Sequence, residues 1–137
     1  MWLLFACGSA VFAGLTAILA KCGIRETDST VATAVRTIVM LGFSWLMVFI
    51  TGSQSGITAI DAKTLIFLIL SGLATGGSWL CYYKALQNGP ASVVVPVDKL
   101  SILITVFFSW IVFGEKLSKK SAAGLAGIVA GTLLMLA

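Results

Sequence analysis

The sequence predicts an all-α membrane protein, a bundle of five transmembrane helices, and three observations predict it. The 137 residues are 59% hydrophobic and only 10% charged, where a soluble domain carries about 25% charged residues. The mean hydropathy is +1.08. The apolar residues also come in runs of membrane-crossing length, about 17–25 residues, separated by short segments of turn formers.

The runs lie at 2–20, 31–51, 64–86, 91–113 and 121–137. The first lacks the basic start and small-residue cleavage site of a signal peptide, and Lys21 beside Cys22 argues against a lipoprotein site. It is expected to be a retained span. Arg25-Glu26-Thr27-Asp28 joins the first pair and Gly52-Ser53-Gln54-Ser55-Gly56 opens the second loop. Asn88-Gly89-Pro90 breaks the third connection, and the segment from Gly114 to Lys120 joins the last pair. No loop is long enough for a soluble domain, and no internal repeat is visible. The expectation is a single domain over 1–137.

Composition also excludes. Histidine is absent, which removes the commonest metal ligand and general base. Cys7, Cys22 and Cys81 have neither metal spacing nor a disulfide framework and read as buried thiols. Neither a metal nor a cofactor is expected. The net charge of +4 comes from basic residues at span ends rather than a stripe, so no nucleic-acid partner is expected. No nucleophile–base pair points to an enzyme, and no filter motif or ring of charge points to a channel.

The polar residues inside the runs carry the functional signal. Asp98 and Lys99 sit in an otherwise apolar stretch, two and three residues after Pro96. Charge at the bilayer centre costs a few kcal/mol per residue on the most lenient scale, so such groups face a protein interior or a water-filled cavity. Pro96 frees a helix carbonyl that needs another partner there. Arg36 lies inside the second run, and both charged runs start from the same membrane face. At 1.5 Å per residue both charges fall roughly 8–10 Å below it. An Arg36–Asp98 ion pair could fix two helices together, act as a gate, or do both. Lys99 either snorkels to the interface or meets an anionic group on a substrate.

Helical spacing puts Asp98, Ser101, Thr105 and Ser109 on one face of the fourth run, and Ser71, Thr75, Ser78 and Tyr82 on one face of the third. Any one hydroxyl can simply bond the preceding turn; two such lines on consecutive spans point to a shared hydrated cavity. Trp79 and Tyr83 adjoin the third-run line, either as an aromatic wall or as plain packing. Ala123, Gly124, Gly127 and Gly131 let another backbone approach the last span, within the chain or from a second copy.

Orientation is weakly marked. Lys63, Lys116, Lys119 and Lys120 share the face of the N-terminus, with Lys21, Arg25 and Lys84 opposite. The small excess puts the N-terminus in the cytoplasm; insertion both ways round is the alternative, and it would allow an antiparallel pair.

With those residues in view, the chain resembles an EamA domain of the drug/metabolite transporter superfamily over essentially its whole length. The resemblance rests on Tyr82-Tyr83-Lys84-Ala85-Leu86, then Ala91-Ser92 leading to Val95-Pro96-Val97, then Phe113-Gly114-Glu115-Lys116-Leu117-Ser118 and a glycine-rich last helix. Arg36 fits as well. Most members carry two such domains related by inverted topology, so the resemblance implies a half-size member acting as a homodimer, antiparallel by analogy. It departs from the four-span multidrug exporters, which keep a glutamate in the first span where this chain has no acid.

The expectation is a secondary transporter, exporter or exchanger, for small organic metabolites in the plasma (inner) membrane. Its partners would be the lipid bilayer, a small-molecule substrate and a second copy. Arg36, Asp98 and Lys99 would form a substrate or proton site at the Pro96 break, lined by Ser71, Thr75, Ser78, Trp79, Tyr82, Tyr83, Ser101 and Thr105. The alternative is a non-transporting membrane subunit that stabilises or regulates a partner protein.

Overall fold

The computed structural model describes all residues, 1–137, and every regular element in it is helical. The chain divides into two compact units, Met1–Asn88 and Gly89–Ala137. The first holds α1 (Trp2–Gly23), α2 (Ser29–Thr51), a 3₁₀ turn (Ser53–Gly56) and α3 (Ala62–Asn88). The second holds α4 (Ala91–Asp98), α5 (Ser101–Phe113) and α6 (Lys119–Leu136). Five helical segments are long and apolar enough to cross a membrane, with α4 and α5 together making the fourth, Ala91–Phe113. Helices suit this setting because each satisfies its own backbone groups where no water can.

The helices α2, α3 and α6 each start two residues before the apolar runs that predict them, because capping residues carry the backbone through their polar ends. The Asp28 carboxylate accepts from the N–H of Thr30 (2.8 Å) and Val31 (3.3 Å), so α2 opens at Ser29 rather than at the first apolar residue. Asp61 accepts from the Thr64 N–H (3.3 Å) and starts α3. Ser118 accepts from the Ser121 N–H (3.1 Å) at the head of α6. Gly52 and Gly114, at φ 70° and 65°, end α2 and α5 in the left-handed conformation that glycine adopts without strain.

In the first unit α3 packs against both α1 and α2. The buried residues gather towards one end: Ala17, Ala20, Ile24, Ser29, Thr33, Tyr83 and Leu86. In the second unit α4 packs on α6, and Thr132 is buried. Large apolar side chains along every span point outward, with Phe5 and Phe113 both 75% exposed. An apolar surface of that extent belongs in lipid. Cys7, Cys22 and Cys81, read from sequence as buried, are exposed. Small apolar residues fill surfaces that lipid covers as readily as they fill cores, so the thiols carry no signal of burial here.

The fourth span is interrupted at Lys99–Leu100, three residues beyond Pro96, which lies within α4. Pro96 has no N–H to give the Ser92 carbonyl. Further on, the backbone tightens from i−4 to i−3 bonds: Leu100 donates to Val97 (3.0 Å), Ile102 to Lys99 (3.1 Å) and Leu103 to Leu100 (3.0 Å).

Candidate functional site

The densest group of chemically distinctive side chains lies in the first unit. Trp79, Tyr82 and Tyr83 follow one another at helical spacings of three and four, which brings their rings together on α3. Trp79 meets Tyr82 edge-on at 5.3 Å between centroids and Tyr83 edge-on at 5.5 Å. Arg36, seven residues on from the start of α2, lays its guanidinium over this group. Its Cζ is 3.5 Å from the Trp79 ring centroid and 5.8 Å from that of Tyr83. The negative faces of the rings attract the cation, a contact worth about 0.5–2 kcal/mol according to how well water is excluded. Tyr83 is only 3% exposed, so the far side of the platform is fixed by packing. Arg36 and Tyr83 also line a recess of about 590 Å³ between the helices of this unit, together with Thr16, Leu19, Ile24 and Val35.

The end of this unit is tied by side chains that sequence reading passed over. The Lys21 ammonium donates to the Leu86 carbonyl, one of the acceptors left without an intrahelical partner in the last turn of α3. Gln87 Nε2 donates to the carbonyls of Ile24 (3.2 Å) and Thr27 (2.9 Å) and holds the α1–α2 connection against α3. The only hint in the sequence is a long polar side chain on each side of a span end, which ordinarily signals no more than the interface.

In the second unit the charged pair sits where the helix is interrupted. Lys99 Nζ lies 3.7 Å from Asp98 Oδ2, with the two side chains 59% and 36% exposed. Asp98 is seven residues on from the start of α4. Each of Arg36 and Asp98 thus lies about 10 Å along its own helix from the helix start.

The hydroxyl lines fare differently from the aromatic cluster. Thr75 donates to the Ser71 carbonyl (2.8 Å) and Thr105 to the Ser101 carbonyl (3.2 Å), the local bonds open to any helical threonine. Ser71, Thr75, Ser78, Ser101 and Thr105 are all exposed on this chain. Ala123, Gly124, Gly127 and Gly131 are exposed too, and a Cβ added at any of those three glycines would meet nothing within 4 Å. Thr132 is instead the buried residue of α6, donating to the Ile128 carbonyl (2.8 Å).

Five apolar helical spans, one of them broken beside an ion pair, define a multi-pass membrane protein with polar chemistry placed inside its spans. The EamA-like transporter family matches residues 1–137, and the chain belongs to that family. A Sinorhizobium protein named as an uncharacterized transporter in the cobO 3′ region is 45% identical over 134 residues, 98% of this chain and 95% of the relative. An uncharacterized protein of Methanocaldococcus jannaschii is 34% identical over 103 residues, 68% of this chain and 74% of that relative. No solved structure matches. The protein is a membrane transporter of this family, and family and relative alike point to a role other than enzymatic catalysis.

Proposed function

We propose that the protein is a secondary transporter of small organic metabolites, an exporter or exchanger, working by alternating access as a dimer of five-span units in the plasma membrane. The observation that carries this reading is the interrupted fourth span with Asp98 and Lys99 at its break. Discontinuous helices at mid-membrane supply free backbone groups and charges to a solute, and transporters build their sites on them between inverted halves. Five spans put the two ends of the unit on opposite faces. A second copy inserted the other way round would supply the inverted half, and a Sinorhizobium relative of nearly equal length carries the word transporter in its name.

In this reading Arg36 of the first unit and Asp98 and Lys99 of the second are the charged groups that meet the solute. Trp79, Tyr82, Tyr83 and the third-span hydroxyls line the solute's path on the first unit, and the fourth-span hydroxyls line it on the second. Opening on alternate sides exchanges the Asp98–Lys99 pair for contacts to the solute. The sequence carries no nucleotide-binding signature, so movement is driven by protons or by a counter-substrate. The open glycine face of α6 is where the second copy packs.

The test is Asp98→Asn in proteoliposomes, with flux and detergent-resistant assembly measured together. Lost flux with intact assembly supports the carrier. Unchanged flux, or collapse of the assembly, favours a membrane subunit whose charges serve folding alone.

A further inference from the structure

We infer that the recess beside Arg36 in the first unit seats the anionic end of an amphipathic organic monocarboxylate, and that Trp79 is the positioning residue that aims Arg36 at it. The inference depends on the carrier reading for the ligand's role as cargo; binding itself can be tested apart from transport.

The argument begins with what the guanidinium lacks. Within its own unit Arg36 makes ring contacts, but its N–H groups have no hydrogen-bond or ion-pair partner. Such a cation about 10 Å along a membrane span requires acceptors that the unit does not itself provide. Asp98, the obvious carboxylate in the sequence, has Lys99 beside it at 3.7 Å. The Trp79 ring lies against the guanidinium, with Cζ 3.5 Å from its centroid, which leaves the N–H edge for a ligand. That edge is a rigid fork matching two carboxylate oxygens side by side.

The rest of the recess sets the class of ligand. Its volume of about 590 Å³ is within the 300–1,000 Å³ range usual for small-molecule sites. Leu19, Ile24 and Val35 give it apolar walls, with Thr16, Thr27 and Tyr83 as the neutral polar groups. One cation in a mostly apolar cleft suits a single negative charge on an apolar body. A phosphate dianion would bring a second charge, whereas Arg36 is the one charged residue that lines the recess. The Lys21 ammonium is engaged with the Leu86 carbonyl, and Lys84 lines a separate recess with Asp28.

The experiment uses the full chain in lipid nanodiscs, titrated calorimetrically with phenylacetate, its neutral counterpart phenylacetamide, octanoate and inorganic phosphate. Phenylacetate and octanoate should bind, with phenylacetamide at least about tenfold weaker and phosphate not detectable. Arg36→Gln should weaken phenylacetate by about 30-fold, as expected for hydrogen bonds to a charged group. Arg36→Lys, which keeps the charge and loses the fork, should fall between, and it stands in should Arg36→Gln fail to assemble. Trp79→Leu should weaken binding about threefold to tenfold, with Trp79→Phe recovering most of it.

In proteoliposomes the Trp79→Leu loss should appear as a raised KM for phenylacetate with kcat little changed. Equal binding of acid and amide, binding unaffected by both Arg36 variants, phosphate in place of phenylacetate, or no binding of either carboxylate would each overturn the inference. Binding without flux would sink the carrier reading and leave this site standing. Flux indifferent to Arg36 would do the reverse.

Discussion

The two units of this chain manage the same problem, polar groups in an apolar solvent, in opposite ways. In the first, seven buried residues, the Lys21 and Gln87 bonds and the aromatic platform under Arg36 make a closed and internally braced end. In the second, only Thr132 is buried, the glycines of α6 look out on open space, and the charged pair sits half-exposed at a break in the helix. Bracing of the first kind pre-organises a cation in one geometry. An interrupted helix of the second kind leaves backbone groups and side chains able to change partners. The comparison makes α1–α3 the fixed unit and α4–α6 the changeable one.

The sharpest way to break that comparison is to neutralise the changeable part. Asp98→Asn should lower flux about a hundredfold, equivalent to removing ~3 kcal/mol of interaction from the limiting step, with the protein still assembled. A loss of the same size from Asp98→Asn and from a distant lipid-facing change such as Phe67→Ala would erase the distinction. The second test addresses the open face of α6. A Cβ at Gly127 meets nothing within 4 Å, so the Gly127→Leu monomer should still fold. The dimer should weaken by about 1–2 kcal/mol, roughly tenfold in its dissociation constant, read by single-molecule photobleaching in liposomes.

Bracing of the first unit predicts a stability effect without a site effect. Gln87→Leu leaves the Ile24 and Thr27 carbonyls without their donor and should cost about 1–2 kcal/mol, visible as a lowered thermal midpoint. Retained affinity for transported solute in the surviving folded fraction would sharpen the separation of brace and site. The smallest effect concerns acid. Hydrogen bonds from the Thr30 and Val31 N–H groups hold the Asp28 carboxyl below its ordinary value of 3.8. A lowered folded-state value means the cap's contribution is complete above that ordinary value and is lost as the pH falls through the lower one. Thermal midpoints of Asp28→Asn and the parent should therefore converge on acidification below about pH 4 and differ slightly above it.

Much of the architecture was legible because the bilayer allows so few solutions. A run of Leu, Ile, Val and Phe from 64 to 86 in so apolar a chain has to satisfy its own backbone, and only a helix does that. The ends were less legible. Asp28 and Asp61 lie outside the apolar runs, and only the structure shows their carboxylates holding the first N–H groups of α2 and α3. Arg36 and Asp98 stood out because charge inside such runs is costly. Their partners did not stand out. Opposite charge points from Arg36 to Asp98, and nothing in the sequence points to the ring of Trp79, 43 positions along the chain, which lies against the guanidinium. Thr16, Lys21 and Gln87 gave no signal, since a helical threonine and two long side chains near span ends are ordinary features of any membrane helix.

The claim on which the carrier account rests is that water reaches positions 36 and 98 within the membrane. Single cysteines at those positions, in a chain with Cys7, Cys22 and Cys81 replaced by alanine, would be labelled in proteoliposomes with a water-soluble maleimide, beside a lipid-facing control at Leu73. The account predicts fast labelling at both positions and none at the control. Labelling at 36 and 98 as slow as at Leu73 would contradict it.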